Sequence, residues 1–437
     1  MPVPSSQPDS GPAPSPRPFL SGWRPAVIVL VAAALPNLAF MLVALFRVGT
    51  ARTALADSWE PMRQAYRWFA SHPGDTIYQS VFFKLHVRFQ YPPSSLLIFA
   101  AANSLHCNLG NRFLDLISWF FVWTEAAAVA RIAWVLSQNA DVTLLTRLHS
   151  RRILFLVACL TITFYPVAWG FSLGQVQTWL NAWFVLACLC WVGNRRLAAG
   201  LFIGAICLFK PQFVLFFVWA ALRKQGRFLV GCAALVIPGE LLALAIFGYP
   251  NHLDYLNELR FLGHHGQFFY MNQSVNGLLN RFLGNTDSMN GFPPYNKIVD
   301  FGTTLTSAVM LGAALLYRMR TRLVSEIDFL IAGLTFTLAS PIAWAHHYGF
   351  LPAAFVVLLA LLGSLNPSRE RGLALLMLAV SYSLCAYPSH PNLFPAAGFG
   401  SLLLSPLFFG ALVVLGLLYF YRDRFPQAPP ALANVPS

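Results

Sequence analysis

Asp57 and Glu60 stand three residues apart in ADSWEPMRQAYRWF, just beyond an apolar run, so on a helix they share a face. A carboxylate pair at a membrane surface can serve as a general base or as the partner of a cation. The same spacing also suits a helix start, with Asp57 as the cap and Glu60 paired with Arg63. Lys210 lies between two apolar runs in CLFKPQF. An ammonium there is costly unless it faces a cavity or an anion, and a phosphate would suit it. Snorkelling from a hairpin tip beside Pro211 would satisfy it as well.

Trp344, His346 and His347 follow Ser340-Pro341, where an apolar run ends. Adjacent imidazoles beyond a helix-breaking proline can hold a phosphate oxygen or move a proton near neutral pH. Zinc is disfavoured, because neighbouring histidines diverge on regular structure and no third ligand is evident, so no metal is expected. Asn272, Gln273 and Arg281 belong to NQSVNGLLNR, directly after the aromatic run Phe268 to Tyr270. Amides there fit sugar hydroxyls and the guanidinium fits a phosphate; a capped interfacial helix accounts for the same residues. Gln175, after Gly174 at a turn between two apolar runs, is either a turn residue or an amide lining a cavity. His264 and His265 fall in a polar loop where solvation is the default. Asp115, Glu125 and Glu240 lie within apolar runs and need partners, which Arg112 and Arg131 could supply to some.

The elements that must carry these groups follow from composition. Of 437 residues, 57% are hydrophobic and 10% charged, against roughly a quarter charged in a soluble domain. Apolar stretches recur from Ala26 to Phe420, which defines an all-α polytopic integral membrane protein. It excludes a soluble enzyme on a single anchor, and an outer-membrane barrel, whose strands would alternate over about ten residues. The net charge of +13 sits mostly in short loops such as Arg195-Arg196 and Arg223-Lys224, as the positive-inside rule expects, and no nucleic acid is needed to explain it. The seven cysteines read as small apolar residues.

Twelve spans are expected, near 26–46, 112–136, 152–170, 174–193, 197–209, 211–222, 228–247, 298–317, 325–340, 345–363, 373–386 and 400–420. Their parity returns the C-terminus, with Arg422 and Arg424, to the cytoplasm. Tyr91 to Leu105 reads as an interfacial or dipping helix. The two runs beside Lys210 are too short to cross about 30 Å of hydrocarbon; basic clusters at both ends favour a hairpin over one kinked span. Residues 1–20, with seven prolines, and 425–437 read as disordered tails around one membrane domain over 26–420. Two polar segments, 47–90 and 248–296, are expected outside as aromatic-rich loops, although the first carries more basic than acidic residues. Gly-rich phosphate loops, nucleotide-binding patterns and HExxH are absent, so an activated substrate would have to reside in the membrane.

Taken in order, Asp57, FQYPPSSLLIFA, LGQVQTWLNAWF, RRLAAGLFIGAICLFKPQFVLFFVWAALRKQGR, NQSVNGLLNRF and SPIAWAHHYGFLP resemble glycosyltransferase family 87 over roughly residues 26–363. That family includes polyprenyl-phosphate-mannose-dependent mannosyltransferases. The resemblance implies a GT-C type fold in the plasma (inner) membrane, no cofactor, and transfer of a sugar from a polyprenyl-phosphate donor to a lipid or glycan acceptor on the outer face. It matches Asp57 to the catalytic aspartate and His346 or His347 to the functional histidine. Lys210, Gln175, Asn272, Gln273 and Arg281 fall in motifs of the family's cavity, with Glu60, Tyr91 and Trp344 as supporting positions. The short Lys210 hairpin and the DSWE context of Asp57 depart from the family pattern. A transporter or flippase of lipid-linked sugar would instead route charge through Asp115, Glu125, Lys210 and Glu240. A glycan polymerase or ligase would rely on loop arginines more than on Asp57.

Overall fold

The computed structural model describes residues 56–138, 151–286, 291–317, 324–366, 368–387, 394–395 and 397–424, with scattered positions from 35 to 46. The expected tails, and most of the expected span 26–46, lie outside the described residues. Among the described residues the chain is helical, with an isolated antiparallel bridge between Asn272 and Trp344 and no strand.

Helices α1 (Trp59–Ser71) and α2 (Leu97–Ser104) flank a π-helical turn (Tyr78–Lys84) and a 3-10 turn (Pro93–Leu96). The long α3 (Asn111–Gln138) follows, then α4 (Arg151–Ile162) and α5 (Tyr165–Ser172). These last two are bent by 49°, where Pro166 removes a backbone donor from the first turn of α5. Next come α6 (Gln177–Val192), α7 (Arg196–Cys207), α8 (Leu215–Leu222) and α9 (Gly226–His265). The remaining helices are α10 (Val275–Phe282), α11 (Lys297–Leu316), α12 (Glu326–Leu338), α13 (Leu351–Ser364), α14 (Arg369–Ala386) and α15 (Pro406–Tyr421).

Among the described residues, five helices are long and apolar enough to cross a membrane, or six if α4 and α5 form one bent span. This does not establish the expected twelve. Hydropathy registers apolar runs whatever their helical length, and α12 has 13 residues, about 20 Å of helix, against about 30 Å of hydrocarbon. The eight-residue α2 is about 12 Å long, a length for dipping rather than spanning. The segment expected as a loop from 248 begins as helix. Gly248 (φ +77°) breaks α9, and the helix resumes through Pro250 to His265.

The two short runs around Lys210 form the hairpin. Arg196, at the start of α7, donates to the Val324 carbonyl at 3.4 Å. Arg223, after α8, donates to Ala314, Leu315 and Tyr317 carbonyls at 3.0, 3.1 and 3.0 Å, closing the C-terminus of α11. Both hairpin ends therefore lie at one basic end of the bundle and Lys210 at the opposite tip. Close packing makes this possible. Gly200 and Gly204, spaced GxxxG on α7, lie against α9, Gly200 on Gly231 and Gly204 on Cys232. A Cβ on Gly200 would collide with the Phe228 carbonyl, and one on Gly204 would sit 2.7 Å from the Cys232 carbonyl.

Helix α6 runs from the Lys210 level back toward the basic end. Phe184 packs on Phe350, Phe329 and Phe213, with centroids 4.4, 5.4 and 6.0 Å away. Trp191 stacks on Phe329 near the basic end. This aromatic column fixes the height of the α6 N-terminus, where the site is built.

Candidate active site

Asp57 precedes α1, which is anchored by buried Trp59, Met62 and Ala65 on one face. Trp59 lies 4.8 Å from Trp179 of α6. The Asp57 amide donates to the Leu173 carbonyl at 3.0 Å, docking the strip onto the turn that joins α5 to α6. Gly174 takes φ +65° in that turn, a left-handed conformation natural to glycine, and so aims Gln175 at Asp57. The Gln175 amide donates to Asp57 Oδ2, and its Oε1 accepts from Ser58 Oγ. Ser58 lies 2.9 Å from the Tyr91 hydroxyl and accepts from the Val176 amide at 3.2 Å. Tyr91 also reaches Gln175 Oε1 at 3.4 Å, while Tyr78 donates to the Tyr91 carbonyl at 2.6 Å.

The Asp57 side chain does not cap α1. It keeps accessible surface although protein crowds it, as a group on a recess wall does. Burial raises its pKa above the ordinary carboxylate value; the Gln175 hydrogen bond and the nearby Arg88 charge oppose that rise. Burial likewise pushes the Tyr91 hydroxyl up, so it stays a neutral donor.

Tyr91 links this carboxylate to the cationic side. Lys210 Nζ lies 5.5 Å from the Tyr91 ring centroid and 2.8 Å from His347 Nε2. An ammonium only donates, so with Lys210 charged the neutral His347 accepts at Nε2 and carries its proton on Nδ1. His346 and His347 are both buried on a 3-10 turn (Ala345–Tyr348), with rings 4.9 Å apart at 80°. The structure thus brings together Asp57, Gln175, Tyr91, Lys210 and His347, with His346 adjoining.

Asn272, Gln273 and Arg281 build the neighbouring platform. Asn272 donates to Gln267 and Pro341 carbonyls at 2.8 and 3.1 Å and accepts from the Ala343 amide at 2.9 Å. Gln273 donates to Tyr270 and Leu404 carbonyls at 2.6 and 2.8 Å and accepts from the Phe408 amide at 3.1 Å. The Arg281 terminal nitrogens donate to the Phe268, Phe269 and Asn272 carbonyls and to Ser405 Oγ. These groups are committed to protein rather than aimed at a ligand. Their effect is to hold the histidines: Gln273 N donates to Ala343 O at 2.8 Å and Ala345 N to Met271 O at 2.9 Å, on either side of the bridge to Trp344. The Tyr348 hydroxyl closes the clamp on the Gln273 carbonyl. Trp344 contributes through this backbone pairing, its ring edge-on to Phe269. Glu60 pairs with Arg63 and accepts from Gln64 at 3.2 Å, turned away from Asp57.

Ser58, Arg88 and Tyr78 were not singled out from the sequence. Only the proximity of DSW in the chain could have pointed to Ser58; Arg88 acts on Asp57 through its charge, and Tyr78 reaches the site through the Tyr91 carbonyl. Asp115 and Glu125 are buried in α3, and the Lys210 hydrogen bond goes to His347 rather than to either. Among the described residues, no three His, Cys, Asp or Glu side chains are grouped to hold a metal ion.

A helical membrane protein with an accessible carboxylate linked through Gln175 and Tyr91 to a lysine–histidine cluster has the parts for acid–base group transfer beside a lipid phase. The sequence model of glycosyltransferase family 87 matches residues 89–341, and the chain belongs to that family. It is therefore a glycosyltransferase, and membership supports the enzyme class over a transporter. No curated protein matches the chain.

Proposed function

We propose that the protein moves a hexose, mannose as the first candidate, from a polyprenyl-phosphate donor to a lipid or glycan acceptor at the outer face of the plasma membrane, within a GT-C type fold. The observation that carries this reading is Tyr91, whose hydroxyl meets the Gln175–Ser58 pair beside Asp57 and whose ring lies under the Lys210 ammonium. Tyr91 then links the proposed base to the proposed cation. The acceptor oxygen attacks the anomeric carbon and gives its proton to Asp57 as the carbon–oxygen bond to the donor phosphate breaks. The bonding pair leaves with the polyprenyl phosphate, and a single displacement inverts the anomeric centre. Lys210 and His347 meet the charge that grows on the departing phosphate, the electrostatic help such a leaving group needs. With two such donors in place, no obligatory metal is required, and transfer should withstand chelation.

Orientation follows from charge. The hairpin ends and the C-terminal arginines share one end, which the positive-inside rule assigns to the cytoplasm, and the Asp57 end then faces out.

The test is sugar transfer by protein reconstituted in lipid, from radiolabelled polyprenyl-phosphate-mannose to a membrane extract. Asp57→Asn should fold and lose on the order of 10²–10⁴ in kcat, the usual worth of a general base. Equal transfer by both proteins would remove Asp57 from the mechanism.

A further inference from the structure

Ser58 is fully buried, and its one hydroxyl meets three groups beside Asp57. What each group can donate or accept sets the direction of every bond among them. The Val176 amide only donates, so Ser58 Oγ accepts from it at 3.2 Å. An ionised carboxylate only accepts, so Gln175 turns its nitrogen to Asp57 Oδ2 and its oxygen to Ser58. The single Ser58 hydrogen therefore goes to Gln175 Oε1, and the Tyr91 hydroxyl, 2.9 Å away, donates to Ser58 Oγ. All the hydrogens then point one way, from Tyr91 through Ser58 and Gln175 to Asp57. Bonds aligned like this polarise one another and strengthen the last of them. Reversing the run would strand the Tyr91 hydrogen, because Ser58 Oγ and Gln175 Oε1 are its only acceptors among the described residues. Asp57 Oδ2 is thus held by a donor, whereas Oδ1, on an exposed residue, takes no hydrogen bond from the described residues.

We propose that Ser58 is a positioning residue: by locking the Gln175 amide it keeps Asp57 Oδ2 for that donor and leaves Oδ1 as the atom that takes the acceptor's proton. A proton on Oδ2 would stand against the Gln175 N–H, two hydrogens facing each other, and would be admitted only if the amide turned over. Ser58 prevents that turn, since its oxygen is held by Val176 and Tyr91 and its hydrogen by Gln175. The other charges near Asp57 are Arg88, which favours the anion, and Lys210, over the Tyr91 ring; Glu60 is paired away with Arg63. This assignment rests on the reading of Asp57 as the base, and it adds the reacting oxygen and the residue that aims it.

The experiment is an infrared titration of the lipid-reconstituted protein, following the carboxyl stretch that Asp57→Asn removes. Losing a bond that favours the anion raises the titration midpoint. Gln175→Leu should raise it by about one unit or less, and Ser58→Ala by no more than that. The double variant should titrate as Gln175→Leu alone, because Ser58 acts through the amide. Ser58→Thr, which keeps the hydroxyl, should titrate as wild type. Where Ser58→Ala does not fold, Ser58→Cys, close in size and a weak donor, should move the midpoint the same way. An unmoved midpoint in the Ser58 variants, or a double variant that shifts by the sum of the two single shifts, overturns the positioning role. Sugar transfer by the same samples keeps the two readings apart. The acid limb of kcat/KM in Ser58→Ala should follow its infrared midpoint. Asp57→Asn transferring like wild type overturns the base reading and the Oδ1 assignment with it, while an inactive Asp57→Asn beside an unmoved Ser58→Ala midpoint overturns the role of Ser58 alone.

Discussion

Asp57 is tuned by two opposing influences, and each is open to a mutation. As the proposed base, the carboxylate must be ionised to accept a proton, so kcat/KM should fall as pH drops through its pKa. Burial lifts that pKa, while Gln175 and Arg88 restrain the lift by favouring the anion. Gln175→Leu or Arg88→Gln removes one restraint, and the acid limb of the pH profile should move to higher pH, by about one unit or less. A limb that stays in place in both variants would belong to another group. At this scale the sequence was informative about residue types and silent about partners. Glu60 pairs with Arg63, three residues away, as local spacing allows. Asp57 bonds Gln175, 118 positions away, which no local pattern encodes.

The hairpin that lifts Lys210 to the site depends on backbone contact between α7 and α9. Gly200, Gly204 and Gly231 permit that contact, and added bulk has no flexible side chain to displace, only main chain. Gly200→Ala should therefore cost roughly 1–3 kcal/mol as overpacking, read as a lower melting temperature in detergent. Transfer activity should drop as well, since α7 carries Lys210 away from His347. Unchanged melting and activity would mean that the helices separate without consequence. The basic clusters pointed to a hairpin from the sequence, whereas the GxxxG spacing was not singled out there and its role emerged from the packing. The helix lengths were less legible, because a hydropathy window does not see where Gly248 breaks α9 or where Pro166 bends α5 from α4.

The whole molecule separates the proposed chemistry from an ion-paired end. At the end opposite Asp57, Arg422 and Asp328 form a buried ion pair, and Asp328 also takes part in the capping box that opens α12. Breaking a buried pair leaves a charge uncompensated, at about 3–5 kcal/mol. Asp328→Asn should come near the lower end, because Arg422 keeps Asp423 at 3.2 Å. It should lower thermal stability while kcat per folded molecule stays the same, measured by active-site titration beside a melting curve. A loss of kcat at unchanged stability would show that the two ends are coupled.

By itself the sequence determined the helical membrane class, the positions of most helices and the short list of chemical groups. Those follow from properties that add residue by residue along a run, such as apolar transfer energy and turn preference. Tertiary structure decided which candidates meet. It joined Lys210 to His347 across 137 positions, set Asp57 on Gln175, and committed Asn272, Gln273 and Arg281 to backbone carbonyls that hold the histidines. The reason is physical: a buried polar group must find a partner, and the choice depends on which helix ends the packing brings to one level.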